Sequence, residues 1–441
     1  MKKFIAASTA LLSALCYMAT TAQAAPNLYF DVNGAGTGYG VVNGGSYSWD
    51  DLNWGALGGG SATGNWVAGD FARFDGTANY TVTVNADESM AGLYQNVAGQ
   101  TLTINSAGAG TLDIVPPDQG FITVGTTIIN AVVSGTGGLA PESGGNLYLT
   151  GNNTYSGGTT FGYAPSSGTP LVYFNNNNSF GTGTIKFIQP AGTLAPMLAY
   201  GGTTITLPNA FQNTVSGAGV NFASSVNTPV VATGAWNLDA KNTIIKNNGD
   251  NTAPLTLSGN ISSTANVTFS GDNGGKTILS GANTLFTGVT TVGSASSANL
   301  TLALGAANTL SHNSGVVMNG GNLDLGGFHH TMGATTLTLS ASSSMDFEGN
   351  ATLSLANSSS KTWTGTLDLL NYVSGELTVG SNASGLTSGQ VADLLDGGVA
   401  GELAINNLGQ IVVVPEPSTI ALGVLGALGI VGRRFAGRKQ A

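Results

Sequence analysis

The chain has 441 residues, of which 67 are glycine and only 8% are charged, with a formal net charge of −10. Six of its twelve cations (Lys2, Lys3, Arg433, Arg434, Arg438 and Lys439) lie at the two ends, so residues 25–415 keep six cations against 21 acids, a net charge near −15. Such a surface argues against a nucleic-acid partner and an anionic membrane face. The 41% hydrophobic content, set in strict alternation, argues against disorder.

Taken in chain order, residues 1–24 form the first element. Met1-Lys2-Lys3 is a charged start, Phe4 to Met18 an apolar stretch, and Ala22-Gln23-Ala24 a small-x-small cleavage site, which together predict a signal peptide with an N-terminal signal helix, removed before Ala25. The one cysteine, Cys16, falls inside it, so the mature chain is expected to have no thiol, disulfide or thiolate ligand.

Residues 25–100 follow as an N-terminal β cap region. Trp49, Trp54 and Trp66 crowd into 18 residues. Large aromatics cover the open end of a stacked fold well, which makes a cap core the main reading; the rival is a platform on which indoles stack against sugar rings.

Residues 101–413 alternate aliphatic and hydroxyl residues in short runs. Tyr80–Val84 begins the pattern within the cap region. Thr101-Leu102-Thr103-Ile104, Phe121-Ile122-Thr123-Val124, Thr204-Ile205-Thr206-Leu207, Leu300–Leu304 and Leu337-Thr338-Leu339 continue it. Gly-Asn, Gly-Gly, Asn-Gly and Ser-Gly pairs lie between them and supply tight corners. Many short strands with polar turns and no helical period predict an all-β chain, a β-solenoid in which each coil covers the next.

An internal repeat supports this. Leu149-Thr150-Gly151-Asn152-Asn153-Thr154-Tyr155-Ser156-Gly157-Gly158-Thr159-Thr160-Phe161 recurs as Leu279-Ser280-Gly281-Ala282-Asn283-Thr284-Leu285-Phe286-Thr287-Gly288-Val289-Thr290-Thr291-Val292, with one extra residue before Gly288. Val133–Leu139 and Leu257–Ile261 precede the two copies as matching units, so the repeats span about 133–161 and 257–292. These residues resemble the autotransporter-associated β-strand repeat, which implies a right-handed parallel β-helix. The predicted repeat-turn residues are Gly151, Asn153, Thr154, Tyr155, Gly157, Gly158, Gly281, Asn283, Thr284 and Gly288; the main reading gives them a structural role, with asparagines bonding backbone groups and stacking from coil to coil. Tyr29-Phe30-Asp31, Trp49–Trp54, Trp66–Asp75 and Leu323–Phe328 are similar, less specifically, to other parts of secreted proteins with these repeats. No translocator barrel of ~10-residue alternating strands follows, so self-secretion is not expected.

Chemistry is sparse. Of His312, His329 and His330, the adjacent pair points to opposite faces in a strand and is read as a surface turn. No nucleophile elbow, zinc-protease pair or phosphate loop occurs. Close carboxylates are Asp50-Asp51, Asp70 with Asp75, Asp87-Glu88, and Asp346 with Glu348, the last pair expected on one strand face at roughly 7 Å, between the separations used by retaining and inverting glycosidases. Asp31–Gly34 and Asp272–Gly274 place oxygen ligands in turns without completing a calcium loop. No catalytic residue, metal or cofactor is assigned.

Residues 414–441 close the chain. Val414-Pro415-Glu416-Pro417 leads into the apolar Ile420–Val431 and then Arg433, Arg434, Arg438 and Lys439. Twelve residues at ~1.5 Å each give ~18 Å of helix, short of a ~30 Å hydrocarbon core, so this short transmembrane helix suits a transient hold in the inner membrane. The basic residues act as a membrane stop on the cytoplasmic side, with everything before residue 415 outside. This layout resembles the PEP-CTERM sorting signal, which implies recognition and cutting near the Pro-Glu-Pro by an exosortase-type membrane enzyme. An ordinary tail anchor is the alternative.

Together these readings predict a non-enzymatic, secreted structural or adhesive protein of the cell surface or matrix, contacting extracellular polysaccharide or neighbouring cells through many weak bonds. Two alternatives stay open. One is a polysaccharide-processing β-helix enzyme, which needs a cleft with two convergent carboxylates. The other is an ice-binding surface, which needs outward threonines such as Thr101/Thr103, Thr204/Thr206 and Thr336/Thr338 aligned in one rank.

Overall fold

A computed structural model describes residues 26–414, apart from 61–62, 117–118, 163–169, 225–226, 250–251, 273, 284, 295–299 and 311–313. The signal segment, the Pro-Glu-Pro, the apolar tail and its basic end therefore lie outside the described residues, as do Thr284 and His312. No helix among the described residues is long and apolar enough to cross a membrane.

The alternating runs form the predicted strands. In Tyr80–Val84 the residues Tyr80, Val82 and Val84 are buried while Thr81 and Thr83 face outward. Each strand thus gives one face to a shared interior, where a large apolar side chain contributes ~1.5–3 kcal/mol. The backbone needs a partner on both sides, and it finds one in the coils above and below.

The result is a parallel β-solenoid with three faces. Face 1 starts with Asn27–Phe30 and runs through Phe71–Phe74, Gly92–Gln95, Gln119–Thr123, Leu139–Glu142, Thr159–Phe161 and onward to Ile261–Ser262. Face 2 is a 13-stranded sheet from Gly45–Ser48 to Leu337–Ala341. Face 3 begins as Glu88–Met90, Thr111–Ile114 and Val132–Gly135, and later becomes a ten-stranded sheet starting at Ile205–Leu207. His329–Met332, Thr352–Leu355 and Leu377–Val379 form a further parallel sheet beside the last coils.

Coil length is regular in the middle of the rod. Val172, Met197, Phe222 and Asn247 stand in one column, 25 residues apart. Inside, Phe211 stacks on Trp236 with centroids 4.1 Å apart and planes 8° from parallel, and Phe187 and Phe161 extend the row. Packing rings coil over coil fills the interior at every level, and no single central core is required.

Both ends are closed. Trp49 and Trp54 are buried beneath the first coil with centroids 4.8 Å apart, and Trp66 packs 4.6 Å from Trp54. The indole of Trp54 donates to the Trp49 carbonyl and that of Trp66 to the Ser89 carbonyl. These indoles are cap core, and their faces are spent on one another and on Phe30 and Phe74 rather than offered to a sugar. The antiparallel strands Trp54–Gly55 and Thr63–Gly64 terminate face 1 at this end. At the other end the hairpin Leu403–Ile405 with Ile411–Val413, and a short helix Ser388–Ala392 opened by a Thr387/Gln390 capping box, cover the last coil.

Candidate functional site: repeat corners and the outward faces

The repeat residues build corners. After Leu149 the chain turns through Thr150 and Gly151, whose N–H groups both point at the Ile129 carbonyl of the coil below. A side chain at Gly151 would put its Cβ 2.3 Å from the Ala131 carbonyl oxygen, so only glycine fits. The same corner recurs at Ser280 and Gly281, which donate to the Leu257 carbonyl, where a Cβ would lie 2.5 Å from the Gly259 oxygen.

Asn153 and Asn283 then staple three coils. Asn153 is buried; its Oδ1 accepts from the Val133 N–H at 2.8 Å and its Nδ2 donates to the Ser179 carbonyl at 2.7 Å. Asn283 repeats this with the Ile261 N–H and the Thr309 carbonyl, both at 2.8 Å. A side-chain amide is the one group of this size that can accept from one coil and donate to the next.

The next residues separate the copies. Tyr155 is fully buried and its hydroxyl pairs with that of Thr159 at 2.6 Å, while burial pushes the phenol far above its ordinary value. Position for position, Leu285 should match it, yet Leu285 is 69% exposed and Phe286 enters the interior instead. The extra residue of the second copy is absorbed by extruding Leu285. Gly157 and Gly288 are close-approach positions, with a Cβ 2.4 Å from Gly137 and 1.7 Å from the Ala265 oxygen respectively, and Gly158 has a positive φ of 88°. Thr154 points to solvent.

The carboxylates pair across coils rather than along the chain. Asp50 and Glu88 share a hydrogen bond, an arrangement their sequence neighbours Asp51 and Asp87 do not suggest. Burial, the Asp50 hydrogen bond and the Asp50 charge push Glu88 up to about 7. Burial also pushes Asp50 up, but hydrogen bonds from Glu88 and Asn85 outweigh it and hold Asp50 low. Two carboxyls in direct contact leave no room for the sugar and water that glycosidases fit between carboxyls ~5–9.5 Å apart.

Asp346 and Glu348 do not share a strand face: the strand ends at Asp346, whose Oδ1 accepts from the Glu348 N–H, and Glu348 opens an exposed turn. Asp31 is likewise spent on the Asn33 and Gly60 N–H groups, and Asp272 pairs with Lys246 at 2.6 Å. The described residues hold no group of three His, Cys, Asp or Glu suited to a metal. His329 and His330 sit in a strand, not a turn. They face opposite ways, as adjacent strand residues must, with His330 buried: its Nδ1 accepts from the Asn308 N–H and its Nε2 faces the Leu325 carbonyl.

Outward threonines do not form a flat array. Thr81 and Thr103 stand together, but Ile128 and Tyr148 follow in their column; Thr101 and Thr126 are followed by Asn146. Thr206 stands beside Val231, and Thr338 beside Val317. What interrupts the threonines on face 2 is an aromatic cluster: Tyr148 and Tyr173 are stacked at 4.1 Å and 3°, with Tyr200 edge-on to both.

This geometry defines a parallel β-solenoid whose polar side chains hold coils together. Residues 413–439 match the PEP-CTERM protein-sorting motif, beginning at the last residue of the closing hairpin. Over 156 residues, 34% of this chain, the sequence is 35% identical to the adhesin BmaC autotransporter of Brucella suis biovar 1 (strain 1330). That stretch covers 4% of the adhesin, so the chain spans only a small part of that relative's length. No solved structure matches. The chain thus carries a sorting motif on a β-solenoid related in sequence to part of an adhesin, which fits a secreted surface protein.

Proposed function

We propose that this is an exported, non-catalytic surface or matrix protein that adheres through many weak contacts along its faces, and that an exosortase-type enzyme processes it at Pro415-Glu416-Pro417. The carrying observation is the position of the sorting motif, which starts where the solenoid is already closed by the Ile411–Val413 strand. Cutting there releases or transfers the whole rod intact. Arg433, Arg434, Arg438 and Lys439 would hold the tail on the cytoplasmic side while Ile420–Val431 dwells in the inner membrane, and cleavage after Ala22-Gln23-Ala24 would free Ala25 as the mature start.

The adhesive part draws on outward hydroxyls and amides and on the matched adhesin. Each bond to a polysaccharide or a neighbouring cell would be worth little alone, and repetition along a stiff rod raises the total. The test is intact mass and fractionation of the protein in its own host beside a Pro415/Glu416/Pro417→Ala variant. The expected result is a wild type truncated near residue 415 and outside the cell, with the variant held in the membrane. A full-length wild type retained in the membrane overturns the processing step.

A further inference from the structure

Three successive coils meet in a groove of about 330 Å³ at the end of face 2, within the ~300–1,000 Å³ range of small-ligand clefts. Asn152 comes from the first coil, Asn175, Asn177 and Asn178 from the second, Thr203 and Thr204 from the third. Among the described residues the lining is amide, hydroxyl and one isoleucine, Ile205, with no ionisable side chain.

The amide oxygens of Asn152, Asn175, Asn176 and Asn177 are already engaged inside the protein, that of Asn175 by the Asn176 side-chain amide. The Thr206 N–H donates to Asn177 Oδ1 at 2.8 Å, which fixes the orientation of that amide, and Asn178 Nδ2 donates to Asn152 Oδ1 at 2.7 Å. Asn176 anchors the floor by donating to the carbonyls of Thr150 and Gly151 and accepting from the Asn178 N–H. Among the described residues the NH₂ groups of Asn152, Asn175 and Asn177 have no such partner, and they line the groove as donors. Their frame is rigid, so little ordering entropy remains to be lost on binding.

The aromatic cluster adjoins this groove on the same three coils. Tyr148 lies in the strand that leads to Asn152, Tyr173 in the strand that leads to Asn175, and Tyr200 just before the Gly201 turn, where a Cβ would sit 3.8 Å from Asn175. Burial and the neighbouring Tyr173 push the Tyr148 phenol up to about 12, so it stays a neutral hydroxyl.

We propose that this groove forms a binding site for a neutral, hydroxyl-rich sugar chain, with the tyrosine cluster beside it on the same coils. Amide donors meet hydroxyl and ring oxygens, and the half-exposed Tyr200, edge-on to the stacked pair, gives the sugar chain an apolar neighbour. The absence of any cation in the lining disfavours uronic or sulfated sugars, and the absence of carboxylates disfavours amino sugars. This deepens the adhesive reading above and rests on it for its biological setting.

The test is affinity electrophoresis of the exported protein, purified from its host, in gels containing dextran, galactomannan or polygalacturonate. Asn152→Ala/Asn175→Ala and Tyr200→Ala variants run beside it, with the remote Leu285→Ser as control. Expected is retardation by at least one neutral polymer and none by polygalacturonate, weakened roughly fivefold or more in both groove variants and unchanged in the control, with equal melting temperatures. Retardation equal in all variants overturns the groove, as does no retardation by either neutral polymer or retardation by polygalacturonate alone. Retention of the same proteins on the host's own matrix separates the two proposals: a wild type and groove variants that are retained alike leave adhesion standing without this site, and a wild type that is not retained removes adhesion itself.

Discussion

The two copies of the repeat carry nearly the same residues and stand on different faces of the rod. Leu149 ends a face 2 strand and Thr159–Phe161 lies in face 1, whereas Leu279 ends a face 3 strand and Thr290–Val292 lies in face 2. The motif therefore spans one short face and the corners on either side of it, not a coil. It needs an inward leucine before the turn, a glycine where two backbones touch, and an asparagine to tie three levels. Two different places around the coil supply that setting.

If that is right, the staples should be the costliest part of either copy. Asn153→Leu and Asn283→Leu each keep the branched shape but leave a buried N–H and a buried carbonyl unpaired, and about 2–5 kcal/mol is expected from urea unfolding of the exported protein. A cost below about 1 kcal/mol at one site would show that its copy is held by something else. The Asn→Asp changes add a pH dependence: an ionised carboxylate has no donor for the Ser179 or Thr309 carbonyl, so both variants should lose stability as pH rises through the carboxylate range.

Corner glycines come next. Gly151→Ala and Gly281→Ala push a methyl against a carbonyl oxygen and should each cost about 1–3 kcal/mol, while Gly144→Ala, with open space around it, should be neutral or slightly stabilising. Equal melting temperatures for all three variants would contradict the close-contact account.

The sharpest contrast is a hydroxyl. In the first copy the Tyr155 and Thr159 hydroxyls satisfy each other; in the second, Phe286 has none, and the Thr290 hydroxyl is buried without a partner. The same substitution in opposite directions should then have opposite signs. Tyr155→Phe orphans Thr159 and should cost about 1–2 kcal/mol, and Phe286→Tyr should give Thr290 its missing partner and stabilise by about 0.5–1.5 kcal/mol. Differential scanning calorimetry decides it, and a destabilised Phe286→Tyr would mean that the two copies pack Tyr155 and Phe286 differently.

Much of this was readable in the chain because the forces involved are local. Alternation marks the strands, since side chains on a strand alternate faces, and the tryptophans marked the cap since large rings must be buried at an open end. Asparagine in a turn is expected to bond backbone groups and to stack on asparagines of the next coils; Asn153 and Asn283 bond the backbones of the flanking coils, and the amide ladder is not what ties them. What was hidden depends on stacking. Asp50 meets Glu88 only because the turn after Gly45–Ser48 comes to lie against the strand Glu88–Met90, and nothing in either neighbourhood encodes it. The change of face between the copies was hidden too, as the corner residues fix a turn but not which turn. Tyr148, Tyr173 and Tyr200 did leave a signal, being spaced by about one coil each, and a search for identical residues near that period would have found them.

The smallest effect tests the extra residue. Leu285 protrudes because the second copy has one residue more than its corner can hold, and the interior takes the larger ring of Phe286 instead. A side chain that is 69% exposed loses little apolar burial when it is replaced, so Leu285→Ser should change stability by less than about 0.5 kcal/mol. Deleting Leu285 outright should be tolerated as well, because it restores the spacing of the first copy and leaves Asn283 and Phe286 to play the parts of Asn153 and Tyr155. If the deletion instead costs as much as losing a staple, the extra residue is part of how the second corner is made, and the two copies are not versions of one device.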